Sequence, residues 1–136
     1  MQIRRILETA LYVDDLPRAV AFYRRLFGFP VLLDDPKLCA LNVGGESVLL
    51  LFLRGGSVKP NPTPGGVIPP HDSTGPAHFA FSIDAADLEG WGERLVAEGV
   101  PIESRVAWPQ GGTSLYFRDP DNHALELATP GLWAML

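Results

Sequence analysis

Three side chains in this sequence could share one cation. His78 opens the alternating stretch "HFAFSI", Glu8 opens "ETALYV", and Glu126 sits within "HALELA". Imidazole and carboxylate are ordinary ligands for divalent ions. A set of three leaves the open coordination positions that a catalytic ion needs. Their placement matters as much as their type. Successive residues of a strand point to opposite faces. His78 therefore shares a face with Ala80 and Ser82, Glu8 with Ala10 and Tyr12, and Glu126 with Ala124 and Ala128. The opposite faces carry Phe79, Phe81 and Ile83 in one strand, Leu7, Leu11 and Val13 in another, and Leu125 and Leu127 in the last. Small neighbours leave room around each polar group, while the bulky faces suit coverage by helices. Taken singly, each residue has a plainer reading: a surface histidine, a solvated glutamate, or a Glu8 paired with Arg4 or Arg5.

The elements that must position these residues are written twice. "LETALYVDDLPRAVAFYRRLFGFPV" and "AHFAFSIDAADLEGWGERLVAEGVPI" each run from an alternating strand through an Asp-containing turn into an amphipathic segment. Each ends at Gly, one residue, then Pro. An offset of 70 aligns Glu8 with His78, and an offset of 71 aligns Gly28 with Gly99, so the second turn is one residue longer. In the first helix Asp15 is the expected cap, Pro17 fits the opening turn, and Leu16, Ala19, Val20, Tyr23, Leu26 and Phe27 make the apolar stripe. In the second, Asp84 is the expected cap, Leu88, Trp91 and Leu95 make the stripe, and Trp91 reads as core. Gly90 and Gly92 cost that helix about 1 kcal/mol each, so tertiary packing must hold it. Three strands follow each helix: "FPVLLD", "LCALNV" and "SVLLLFL", then "PIESRVAW", "TSLYFRD" and "HALELA". The expected fold class is α+β, with two βαβββ modules at about 3–54 and 76–130 in a single domain. The Pro- and Gly-rich stretch at about 55–75 reads as a connector or a partial lid.

Composition narrows the partners. The chain of 136 residues is 46% hydrophobic and 20% charged, which permits one packed domain, and its net charge of −5 argues against nucleic acid. Cys39 is the single cysteine, so no disulfide can form within the chain and a reducing cytoplasm is the expected setting. The opening residues lack the apolar region of a signal peptide, and no apolar run could span a membrane. Tyr12, Phe52, Tyr116 and Arg118 fall on the same faces as the candidate ligands and are the expected substrate-binding wall. Arg118 could hold an anionic group or brace the "DPDN" turn. His71 is expected on a loop surface, His123 facing solvent beside a turn, Cys39 as a buried, unreactive thiol, and Trp108 and Gln110 at the rim of the site.

The segments "LYVDDLPRAVAFYRRLFGF", "GPAHFAFSI" and above all "SLYFRDPDNHALELATP" resemble the vicinal oxygen chelate superfamily, also called the glyoxalase/bleomycin resistance/dioxygenase superfamily. The resemblance covers nearly the whole chain. It implies two βαβββ modules forming a cup-shaped mixed sheet, in a homodimer. It also implies metal ligands on the first and last strands of each module, which here are Glu8, His78, Glu126 and, at the fourth position, the apolar Leu50. A divalent ion (Mn, Ni, Co, Zn or Fe(II)) is the implied cofactor and a small oxygen-chelating molecule the implied substrate. The implied chemistry is of lyase or isomerase type, with the ion as Lewis acid and Glu8 or Glu126 doubling as base. One imidazole and two carboxylates differ from the two-histidine, one-carboxylate set of non-haem iron sites, which argues against extradiol dioxygenation. The alternative is a metal-free protein that binds small molecules or drugs.

Overall fold

A computed structural model of the chain describes residues 1–134. The chain divides into two compact units, Met1–Gly75 and Pro76–Leu136. Unit 1 contains β1 (Glu8–Val13), α1 (Leu16–Phe27), β2 (Val31–Asp35), β3 (Leu38–Val43), β4 (Ser47–Leu53) and a small hairpin, β5 (Asn61–Thr63) with β6 (Gly66–Ile68). Unit 2 contains β7 (His78–Ser82), α2 (Leu88–Ala97), β8 (Ser104–Ala107), β9 (Thr113–Arg118) and β10 (Ala124–Ala128). The two main sheets have the same topology, β1-β4-β3-β2 and β7-β10-β9-β8. In each, the first and last strands pair in parallel and the others antiparallel. A parallel pair needs a long crossover, and the helix with two further strands supplies it.

The first helix follows its sequence signals. Asp15 has an extended backbone, and its Oδ1 accepts the Arg18 N–H at 3.0 Å. Gly28 closes the helix at φ +71°, a conformation that favours glycine, and its N–H reaches the Arg24 carbonyl at 2.9 Å. Asp15→Ala should therefore lower stability by about 1 kcal/mol, read from a denaturant midpoint. The apolar face of α1 packs on β3 and β4. Leu11, Val13, Cys39, Leu41, Leu49 and Leu51 from the strands meet Leu16, Ala19, Tyr23 and Leu26 from the helix, all buried. Each large side chain so buried contributes about 1.5–3 kcal/mol relative to exposure. Phe22, outside the predicted stripe, is also buried, edge-on to Tyr23 with centroids 5.2 Å apart. Cys39 is fully buried, and burial foremost raises its thiol pKa, with Asp34 adding to the effect and Arg24 opposing it.

Unit 2 departs from expectation at its helix start. Asp84 makes no side-chain cap; a 3₁₀ turn at Ala85–Asp87 comes first, and α2 begins at Leu88. The extra residue in this turn is taken up there. Leu88, Leu95, Val100, Leu115, Phe117, Leu125 and Leu127 form the buried core, whereas Trp91 is half-buried rather than core.

The segment 55–75 is neither a bare connector nor unstructured. Its β5–β6 hairpin is followed by a return onto unit 1. The His71 N–H donates to the Ser57 carbonyl at 2.9 Å, the Gly55 N–H to Asp72 Oδ1 at 3.1 Å, and Arg54 Nε to the Ser73 carbonyl at 3.1 Å. His71 is half-buried, contrary to its expected surface position. Its Nδ1 is 2.6 Å from the Tyr12 hydroxyl, and its ring stands edge-on to Phe52 at 4.6 Å. Composition marks where a chain turns, but not that a turning segment brings an aromatic ring back to a sheet.

Candidate functional site

In unit 2, strand pairing brings the predicted donors together. Along the parallel β7–β10 pair, His78 lies opposite Ala124 and Ala80 opposite Glu126. The diagonal between them brings His78 Nε2 to 3.4 Å from Glu126 Oε2. The other ring nitrogen, Nδ1, lies 2.9 Å from the Ala124 carbonyl. A carbonyl only accepts, so Nδ1 carries a proton, and in the neutral ring Nε2 then presents a lone pair. An acceptor nitrogen and a carboxylate oxygen thus face each other across a gap that calls for a proton or a cation. Two donors held about 2.0–2.1 Å from a tetrahedral ion stand about 3.3 Å apart, so this pair fits a metal edge.

Glu126 is only 4% exposed, and its second oxygen is occupied. The buried Ser114 hydroxyl donates to Glu126 Oε1 in a short hydrogen bond, and Ser114 Oγ accepts the Trp108 indole N–H at 2.8 Å. Partners of this kind fix the orientation of a metal-binding carboxylate. Trp108 is held by its own loop, with its backbone N–H donating to the Gly112 carbonyl at 3.1 Å. Gly112 has φ +80°, and a Cβ there would meet the Pro130 carbonyl oxygen at 2.9 Å, so the loop requires glycine. Ser114 was not among the expected site residues. Its signal was strand parity, two residues before Tyr116 and on the same face.

Tyr116 lies directly opposite Glu126 and stacks beside His78 with centroids 6.1 Å apart. Burial chiefly, then the charge of Glu126 and a hydrogen bond to it, hold its phenol above the ordinary 10.0, with Ser114 pulling the other way. Tyr12 is raised as well, by burial and then by Asp72. The folded chain thus binds these protons more tightly than the unfolded chain. The associated stability is present below pH 10 and is lost as pH rises through the raised folded values. Absorbance titration near 295 nm should show native Tyr12 and Tyr116 ionising above the phenol midpoint of the unfolded chain.

Arg118 points to a different task from the wall position. Its guanidinium pairs with Glu103 at 2.7 Å and donates to the Asn122 carbonyl at 3.2 Å, bracing the turn. His123 corrects another expectation. It is 1% exposed rather than solvent-facing, and its Nδ1 accepts the Ala77 N–H at 2.8 Å. It thereby holds the residue that precedes His78.

Unit 1 carries the equivalent face. Glu8 lies opposite Val48, Ala10 opposite Leu50, and Tyr12 opposite Phe52, with the last two rings stacked at 5.7 Å. Leu50 occupies in this sheet the place that Glu126 occupies in the other. Glu8 is exposed, and its carboxylate has no partner among the described residues; the expected alternative pairing with Arg4 or Arg5 is not made. No three His, Cys, Asp or Glu side chains stand together as a metal cage among the described residues. The pair His78–Glu126 is what the structure assembles.

Two sheets of identical β-α-β-β-β topology, with a histidine and a buried glutamate on adjoining strands of one, define a glyoxalase-like fold. Residues 5–127 match the family profile of the glyoxalase/bleomycin resistance protein/dioxygenase superfamily, and the chain belongs to that superfamily. It is 32% identical over 129 residues to the glutathione transferase FosA of Serratia marcescens, covering 93% of this chain and 81% of the relative. It is 30% identical over 125 residues to the metallothiol transferase FosB of Bacillus licheniformis, covering 91% and 74%. Among solved structures, the lactoylglutathione lyase of Agrobacterium tumefaciens superposes with a TM-score of 0.89 at 37% identity, covering 98% of this chain and 99% of the other. No helix of the described residues is long and apolar enough to cross a membrane.

Proposed function

We propose that the protein is a metal-dependent glyoxalase-like enzyme acting on a small molecule with vicinal oxygens. One observation carries the reading: Nε2 of His78 faces Oε2 of the buried Glu126 at 3.4 Å, a spacing that suits two donors on one ion. His78 and Glu126 would hold the ion. When bound, a divalent ion supplies Lewis-acid polarisation of a substrate oxygen. The residues of the chain divide the remaining work. Glu126, with one oxygen taken by Ser114, orients and neutralises charge. In unit 1, Glu8 is exposed and unpartnered, so its carboxylate is available as a base. Tyr116 and Trp108 wall the site, and Tyr12 and Phe52 form the apolar wall of the equivalent face. The activities of the relatives, a glutathione transferase, a metallothiol transferase and a lactoylglutathione lyase, favour a substrate or co-substrate that bears a thiol. A cytoplasmic homodimer fits the same reading, and the exposed Ile3, Ile6 and Leu7 are the apolar surface it would cover.

The test is metal content by mass spectrometry after purification without chelators. The reading expects a stoichiometric divalent ion in the wild type and its loss in His78→Ala. A wild type that stays metal-free when offered Mn, Ni, Co, Zn and Fe(II) ends it. A second reading, metal-free binding of an aromatic small molecule, is favoured by the Tyr12–Phe52–His71 cluster of unit 1.

A further inference from the structure

Unit 1 contains a groove of about 660 Å³ that none of the proposed metal ligands lines. It lies between the β2–β3 edge of the sheet and the returning β5–β6 hairpin. Its volume is within the roughly 300–1,000 Å³ of small-molecule sites. Phe52 and His71 form one wall, edge-on to each other at 4.6 Å. Leu33 and Ile68 line it and remain 50% and 47% exposed, so the folded unit leaves apolar surface uncovered there.

Charge is distributed unevenly around this groove. The chain has two lysines, Lys37 and Lys59, and both line it. Neither ammonium has an ion-pair partner among the described residues. The Lys37 stem lies against Gly56, where an added Cβ would stand 3.4 Å from Lys37 Cβ and 2.9 Å from the Leu53 carbonyl oxygen. One carboxylate, Asp35, also lines the groove, and its Oδ1 accepts the backbone N–H of Lys37 at 2.9 Å. A chain of net charge −5 thus sets both of its lysines against a single carboxylate beside an apolar, partly aromatic cleft.

We infer that this groove binds a small anion with an aromatic or branched apolar body, its charge between Lys37 and Lys59 and its body against Phe52, His71 and Ile68. This goes beyond the metal-site reading and does not depend on it. The wall is set by the hydrogen bond between Tyr12 and His71, which holds the ring against Phe52. Lysine supplies charge without the fixed fork of arginine, so selectivity rests on net charge and shape rather than on a particular oxyanion.

The test is a matched pair of probes, 1-naphthoate and the neutral 1-naphthamide, titrated against the full chain by NMR. Naphthoate should bind about tenfold more tightly than naphthamide, the sum of two solvent-exposed charge contacts. That advantage should vanish in Lys37→Gln/Lys59→Gln, with naphthamide affinity unchanged and amide shifts centred on Phe52, Ile68 and His71. Raising the salt concentration should weaken naphthoate alone, a readout that needs no variant. Equal affinity for the two probes, shifts centred elsewhere, an unchanged preference in the double variant, or no saturable binding would each overturn the inference. The metal content of the wild type is unaffected by any of these outcomes.

Discussion

Glu126→Ala is expected to abolish stoichiometric binding of a divalent ion and, separately, to cost unit 2 about 1–3 kcal/mol of stability. The two effects have different causes. The carboxylate is buried, and its Oε2 faces Nε2 of His78 at 3.4 Å, so its removal leaves one donor where two converge. It also takes away the acceptor of the buried Ser114 hydroxyl, which itself accepts from Trp108. Glu126→Gln separates the effects. The amide oxygen still accepts from Ser114, so the fold should hold while the loss of charge weakens the ion. Ser114→Ala makes the complementary change, leaving the charge but freeing its orientation, and should lower metal affinity about 10–100-fold. Calorimetric titration of apo-protein with Zn or Mn, beside thermal melts, reads both effects. Unchanged metal affinity in Glu126→Ala would contradict the proposed centre.

The second large effect is expected at a residue that binds no metal. His123→Ala should destabilise the protein by about 3 kcal/mol, lowering the melting temperature by about 10 °C. The imidazole is buried, so its deletion leaves a cavity, and it leaves the Ala77 N–H without the acceptor it now has at 2.8 Å. Ala77 precedes His78, and its carbonyl accepts the Ala124 N–H at 2.8 Å. The same stitch aligns β7 with β10, so metal affinity should fall as well, at a position too remote in role to be a ligand. A variant with wild-type melting behaviour would show that the turn holds the strands without it.

Much of this architecture was legible in the residues themselves. A period of two in "HFAFS" and "ALELA" assigned His78 and Glu126 to the polar faces, and the parallel pairing of their strands joined those faces. The helix α1 was legible to its ends, because Asp15 and Gly28 satisfy terminal backbone groups through their own chemistry and need no distant partner. The start of α2 was not. Asp84 offered the same cap, but the longer turn is absorbed in 3₁₀ geometry instead. Arg118 was legible only as a choice between two tasks, and Glu103, which pairs with it, comes from a segment that no local pattern connects to it.

The contrast between the three histidines marks the boundary. Their local sequences assign His78 to a strand, His71 to a Pro-rich loop and His123 to a turn, and each assignment holds for the backbone. What the rings do was decided by partners 46 to 59 residues away: Ala124 for His78, Ala77 for His123, Tyr12 for His71. Local chemistry determines backbone conformation because propensity, capping and alternation act between neighbours in the chain. Burial and hydrogen-bond pairing depend on which segments meet, so only the folded chain could turn one expected surface histidine into a structural pin and another into the wall of a groove.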